Sequence, residues 1–179
     1  MNDYLNLIDE ASHLSDLADA ESPIVINGLT RTCDISEGFN KEVAIVGDHR
    51  SNVITFYSDR IIDGHDTLNC ALAVIKWENT SAKKTGAYVI DDRRILELDP
   101  SKIVFHWVVE SETTIAAGQI KFSICFIDYN EFGDKVVYRW NTKLCTELTI
   151  GEGVYVPDID TPITNNNGSF LYNGAISIV

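Results

Sequence analysis

The sequence predicts a mainly β protein: an antiparallel β-sandwich of Ig-like or jelly-roll-like class, with an N-terminal amphipathic helix and an extended C-terminal tail. Three observations carry this. Between Leu68 and Ile150 one apolar stretch follows another with a period of two, so that Ile103, Phe105, Trp107 and Val109 share one face of a strand and Val104, His106 and Val108 the other. Ile120, Phe122, Ile124 and Phe126 repeat the pattern against Lys121, Ser123, Cys125 and Ile127. Short polar turns cut these stretches at intervals of about ten residues, the spacing of strands in two packed sheets. Third, both ends change character, which divides the chain into a helical arm (1–21), a sandwich domain (22–153) and a tail (154–179) with a short final strand.

The elements follow in order. After Asn2 or Asp3, either a good helix cap, Tyr4, Leu5, Ile8, Ala11, Leu14, Leu17 and Ala18 recur at helical spacing among acidic and serine positions. Ser22 and Pro23 break the helix, and an extended segment resumes with Asn27 and Gly28 as a turn. Two strands flank a polar turn at Gly47 to Asn52, the second running from Val53 to Tyr57, and Asp63 to Asp66 is a loop. From Leu68 to Trp77 both faces are apolar, which predicts a mid-sheet strand. Asn79 to Gly86 reads as a turn, residues 87–98 as a hairpin around Asp91 to Arg93 closed by Asp99-Pro100, and 110–118 as a small helical or irregular turn. Gly133 supplies positive φ to a hairpin loop from Asn130 to Asp134. Beyond Ile150 the chain is rich in Gly, Pro, Asn and Asp and only weakly periodic, with a last strand from Ala175 to Val179.

A chain of 179 residues buries a core without disulfide or metal staples. Its formal charge of −13 and pI near 4.5 argue against phosphate-mediated binding of nucleic acid, because its Lys and Arg are scattered rather than clustered. The same acidity keeps a β-rich surface soluble and discourages edge-to-edge pairing. No apolar run reaches the roughly twenty residues that span a bilayer, so no membrane partner is expected. Cys33, Cys70, Cys125 and Cys145 each sit in an apolar segment and read as buried thiols, a Cys70–Cys125 bridge being the alternative. There is no secretory signal, which points to synthesis in the cytoplasm.

Little in the sequence has the form of a catalytic site. His13 lies on the helix, His49 and His65 in polar turns and His106 mid-strand, and no G-x-S-x-G elbow occurs. Asp63, His65 and Asp66 have the residue types of a cation site, but solvated Asp side chains capping backbone amides are the simpler reading. Asp158, Asp160 and Asn165 to Asn167 offer oxygen ligands without the spacing or closing Glu of an EF-hand. Trp77, Trp107, Trp140, Tyr88, Tyr138 and Tyr155 would make a sugar platform if exposed, yet the tryptophans stand in strand interiors and read as core. Gly151 and Gly153 precede no helix and form no phosphate loop. The expectation is a non-enzyme with no cofactor and no metal.

Taken together, Ile103, Phe105, Trp107, Thr114, Gly118, Phe122, Ile124, Phe126, Trp140 and Thr142 resemble the N-terminal β-sandwich domain of tailed-phage baseplate upper proteins and related minor structural proteins, over about residues 43–153. That resemblance implies a virion structural part of the tail or baseplate, made in the host bacterial cytoplasm and acting by protein–protein assembly. It transfers no catalytic residue. This chain departs from the pattern in having a helix in front of the sandwich and no large receptor-binding or fibre domain behind it. Its expected partners are other virion proteins and copies of itself, with Tyr4, Leu5, Ile8, Leu14, Leu17, Tyr155, Phe170 and Tyr172 as the contact residues. A capsid decoration or head-fibre-type surface protein is one alternative, and a carbohydrate-binding module for a host-surface glycan another. For the helix, covering an open sheet edge of its own domain is the alternative to docking on a neighbouring subunit.

Overall fold

The computed structural model describes residues 22–153 and three short strands beyond them, at 163–164, 170–172 and 175–177. The predicted helix with Tyr4, Leu5, Ile8, Leu14 and Leu17, and Tyr155 in the tail, lie outside the described residues. Among the described residues there is no helix. The strands begin with β1 (Ile24–Asn27), β2 (Thr32–Ile35), β3 (Glu42–Ile45), β4 (Val53–Asp59), β5 (Ile61–Ile62) and β6 (His65–Asp66). They continue with β7 (Leu72–Asn79), β8 (Lys84–Val89), β9 (Arg94–Leu96), β10 (Asp99–Val108), β11 (Gly118–Tyr129), β12 (Val136–Asn141) and β13 (Cys145–Gly151). In the tail are β14 (Ile163–Thr164), β15 (Phe170–Tyr172) and β16 (Ala175–Ser177).

Two large sheets result, with strand orders β2-β1-β4-β10-β9 and β3-β13-β11-β7-β8, and β12 is added to β11. The expectation of purely antiparallel pairing is corrected: β1 runs parallel to β4, and β13 parallel to β3. The cause is connectivity. After the β1–β2 hairpin the chain crosses to the second sheet as β3 and returns as β4, so β4 meets β1 through a crossover and not a turn.

The alternating residues read from the sequence are the ones that fill the space between the sheets. Ile24, Ile26, Phe56, Ile103 and Phe105 on the first sheet, and Ile75, Phe122, Ile124 and Phe126 on the second, are wholly buried. Phe122 contacts Phe56 edge-on with ring centroids 5.8 Å apart and Trp107 at the same separation, and Phe105 meets Phe126 at 6.3 Å, so the two sheets share one core.

β11 is the longest strand, and along one edge it changes partner. Gly118 to Phe122 pair with β13, and Cys125 to Tyr129 pair with β12. At the changeover Thr142 donates its N–H to the Ile124 carbonyl and accepts the Ile124 N–H on its hydroxyl, both at 2.9 Å. A small polar side chain thus replaces a ladder partner where neither strand continues.

The irregular 109–117 connection is held by Asn79, which is fully buried at the end of β7. Its amide donates to the carbonyls of Thr113 (2.9 Å) and Ala116 (2.7 Å), and its carbonyl accepts the Ala82 N–H (3.0 Å). Thr114 closes the other side by donating to the Asp48 carbonyl at 2.7 Å.

Several expectations need correction. The strand expected from Leu68 starts at Leu72, because Asp66 accepts the Leu68 N–H and Asp128 the Ala71 N–H, drawing those residues into a turn. Residues 87–98 do not form a hairpin: β8 pairs with β7 in the second sheet and β9 with β10 in the first, and residues 90–93 cross between them. The expected 79–86 turn ends at Lys83, with Gly86 inside β8 where a Cβ would collide with the Trp77 ring. The tail has three short antiparallel strands instead of one, with Phe170 and Tyr172 in β15. All four cysteines are free thiols, which leaves no Cys70–Cys125 bridge, and Cys33 is half-buried where burial was expected.

The outward faces of the two sheets differ. On the second, Cys125, Val74 and Ile127 form a separate apolar cluster, and the Lys76 ammonium donates to Asn141 Oδ1 (3.2 Å) from the far side of β11. On the first sheet Thr55, Val104 and His106 point away from the core and are nevertheless buried.

Asn79→Ala leaves two buried carbonyls and one N–H without their partner, and is expected to lower stability by about 2–4 kcal/mol in equilibrium urea unfolding. A loss below about 1 kcal/mol would mean that the 109–117 connection is held by its other contacts.

Candidate functional site

At one end of the fold, chemistry-bearing side chains gather from five segments. The β5–β6 turn brings His65 and Asp63, the stretch before β7 brings Cys70, β11 brings Asp128, β12 brings Tyr138 and Trp140, and the β1–β2 turn brings Arg31. Arg31 (φ 63°) and Asp63 (φ 52°) both have left-handed backbones, a conformation costing on the order of 1 kcal/mol or more in a residue with a Cβ, and such strain gathers where function or tight packing demands it.

The contacts show what the group does. His65 stacks on Tyr138 with ring centroids 3.7 Å apart and planes 15° from parallel, and its Nδ1 lies 3.9 Å from Asp128 Oδ2. Asp128 accepts the Cys70 thiol (3.5 Å) on that same oxygen and the Ala71 N–H (2.8 Å) on the other. Arg31 Nη2 lies 3.6 Å from Asp63 Oδ2, with its guanidinium 5.5 Å from the centre of the Trp140 ring. Tyr138 donates to the Ile62 carbonyl at 3.3 Å. Beside this group Arg93 donates to the carbonyls of Thr67 (2.7 Å) and Cys70 (2.9 Å).

A thiol, a carboxylate and an imidazole are therefore neighbours, in an order that does not suit nucleophilic catalysis. The thiol donates to the carboxylate and not to the imidazole, whereas activation requires a base that takes its proton. Burial and then the Asp128 charge push the Cys70 thiol up to about 12, so it stays protonated and unreactive at neutral pH. Burial likewise raises the Tyr138 phenol to about 12, with Cys70 and Asp63 adding to it. The arrangement ties the β5–β6 hairpin and residues 70–71 to β11 and β12.

The cation site weighed from the sequence does not assemble. Asp63 turns to Arg31 and His65 to Tyr138, while Asp66 holds Arg60 through two hydrogen bonds (2.9 and 3.2 Å) and caps Leu68. Among the described residues no three His, Cys, Asp or Glu side chains converge as metal ligands. Asp158, Asp160 and Asn165 to Asn167 lie outside the described residues.

The aromatic residues are accounted for in the same way. Trp77, Trp107 and Trp140 are 7 %, 1 % and 1 % exposed, Tyr88 is half-buried, and Tyr138 has His65 over its ring. They are core residues and offer no sugar platform. Among the described residues the most exposed aromatic is Phe132, at the tip of the β11–β12 hairpin, at 87 %, with Tyr129 on the same hairpin also exposed.

The sequence reading missed the pairing of His106 with Asp92. The His106 Nδ1 lies 2.5 Å from Asp92 Oδ2, and its backbone N–H donates to Oδ1 at 3.2 Å. The carboxylate grips ring and backbone together and sets the ring's orientation. No local signal pairs them, since Asp92 sits in the crossover between β8 and β9.

An open cleft of 390 Å³ is lined by Asp59, Arg60, Ile61, Pro100 and Ser101. Its polar groups are engaged within the protein: Asp59 with Gly28 N–H and Lys102, Arg60 with Asp66, and Ser101 with Asp99. No family model matches this chain, and no curated protein is detectably similar to it.

The raised groups set the response to alkali. In the folded protein Cys33 and Cys70 hold their protons to about 12, against an ordinary value of 9.0, and Tyr138 to about 12 against 10.0. Because the unfolded chain releases these protons first, their contribution is full below about pH 9 and is lost as pH climbs toward 12. Thermal melts across that range are expected to show Tm falling steadily. At pH 8 the thiols should react with a maleimide far more slowly in the native than in the unfolded protein; an equal rate for Cys70 would refute the sealed geometry.

Proposed function

We propose that this protein is a β-sandwich component of a tailed-phage virion, in the tail or baseplate region, and that it acts by protein–protein assembly without catalysis. The observation that carries the reading is what the residues behind the resemblance do. Ile103, Phe105, Trp107, Phe122, Ile124, Phe126 and Trp140 are all core residues, at most 1 % exposed. Thr114 and Thr142 supply the side-chain hydrogen bonds at the turns, and Gly118 takes the positive φ (127°) at the start of β11. These core and turn roles are the ones a β-sandwich scaffold asks of such residues, and they support the reading drawn from the resemblance.

Two further features support assembly over chemistry. The polar side chains at the end of the fold bind one another and hold its thiol protonated. The β11–β12 hairpin, by contrast, presents Phe132, Val137 (58 % exposed) and Val136 to solvent, and exposed apolar groups on a projecting hairpin are suited to burial against a partner. With Phe170 and Tyr172 of the tail, these are the contact residues we assign to neighbouring virion proteins.

Electron microscopy of purified particles labelled with an antibody to this chain tests the assignment. Label at the tail end is expected; label spread over the head would replace this reading with capsid decoration, and its absence from the particles would refute a virion role. Phe132→Ser should leave stability within about 0.5 kcal/mol, since the side chain is exposed, yet reduce incorporation into particles. Unchanged incorporation would remove the hairpin from the contact surface.

A further inference from the structure

We infer that β12 is an open sheet edge at which an acidic, extended segment of a partner protein adds as a further strand. This deepens the assembly reading, on whose assignment of the β11–β12 hairpin as a contact surface it rests, by giving the partner's chemistry and the way it is held.

β12 pairs with β11 along one side, and no described strand, those of the tail included, pairs with the other. The direction of its backbone groups follows from the ladder. Ile124 accepts the Thr142 N–H, so on β11 Ile124, Phe126 and Asp128 turn their backbone groups toward β12. Trp140 and Tyr138, opposite Phe126 and Asp128, turn theirs back to β11. The alternate residues Arg139 and Asn141 therefore aim N–H and C=O outward, where no backbone group takes them among the described residues. A register shift at Asp128/Tyr129 disturbs only the first residues of the pairing. Lys135, Val136, Val137, Arg139 and Lys143 are all exposed, so no layer of the described protein lies over this edge.

Charge identifies the occupant. The chain carries −13, yet the run from Lys135 to Lys143 holds Lys135, Arg139 and Lys143 and no acid. None of the three has an ion-pair partner among the described residues, whereas Lys84 on β8, at the opposite end of the sheet, is held by Glu112 at 3.8 Å. Lys76 reaches Asn141 from β7 and adds a further positive charge beside the edge. The nearest acid in sequence, Asp134, lies in the hairpin loop and accepts from Asn130. Free cations along an open edge of a strongly acidic protein favour a negatively charged strand.

A second copy of β12 fits poorly. Antiparallel self-pairing of this run sets Arg139 against its copy and Lys135 against Lys143, with like charges directly opposite. In strand addition the backbone bonds supply affinity and the alternate side chains supply specificity. Carboxylates on the face that Arg139 occupies, alternating with apolar residues, describe the ligand.

The test uses the full chain and a fluorescein-labelled short peptide of alternating Glu and Val, with a Lys and Val peptide as its counterpart, followed by fluorescence anisotropy. The acidic peptide is expected to bind roughly tenfold or more tightly than the basic one, and to slow amide hydrogen exchange at Arg139 and Asn141. Lys135→Glu with Lys143→Glu, both at exposed side chains, should reverse the preference. Arg139→Pro removes an outward N–H while sparing the ladder to β11, and should abolish binding; Arg139→Gln keeps that N–H and should only weaken it. No binding of the acidic peptide, equal binding of both peptides, or binding that leaves exchange at Arg139 unchanged would overturn the inference. A dimer whose formation Arg139→Pro prevents would overturn it in favour of a second copy. Failure here with antibody label still at the tail end leaves the virion reading standing, whereas binding as expected with no label on particles sinks that reading alone.

Discussion

The contact of Phe122 with Phe56 and Trp107 is the constraint on which the rest of this structure depends. Phe122 sits on β11, the strand that pairs with β7 along one edge and with β13 and then β12 along the other. Every element of the second sheet is therefore positioned directly or through one neighbour by the strand whose central side chain meets the first sheet. Because aromatic rings pack tightly and their partners are wholly buried, β11 cannot slide by one residue without turning Phe122 out and Lys121 or Ser123 in.

Polar groups then serve that packing. Asn79, Thr114 and Thr142 are buried, and each satisfies backbone groups where a ladder ends. Asp66 and Asp128 each accept a backbone N–H from one residue while binding the side chain of another, and Asp92 holds both the backbone N–H and the ring of His106. A buried polar group is stabilising only when its partners are in place, and here they come from residues far apart in sequence. The Cys70, Asp128 and His65 group shows the consequence for function: residue types that serve catalysis elsewhere are spent on one another, and the protonated thiol is an outcome of that wiring.

The fold was largely legible because period-two alternation is a local property. Ile103 to Val109 and Ile120 to Phe126 declare their inward faces in sequence, and the tryptophans read as core are core. Less of the site could be read. Asp63, His65 and Asp66 looked like a ligand cluster through adjacency, yet the β5–β6 turn sends their side chains to three different partners. The 87–98 segment carries the turn residues of a hairpin, but its two halves find better-buried neighbours in opposite sheets.

By itself the sequence determined the β class, the faces of the long strands, the acidic surface and the positive φ at Gly133, all set by residue type and spacing along the chain. Tertiary structure alone decided which strands lie parallel, that β11 changes partner at Ile124, that Asp92 holds His106, and that Thr55, Val104 and His106 are buried on the outward face of the first sheet. The physical reason is that pairing order and side-chain partners are chosen by competition among distant segments for burial and hydrogen bonds, and alternation carries no record of that competition.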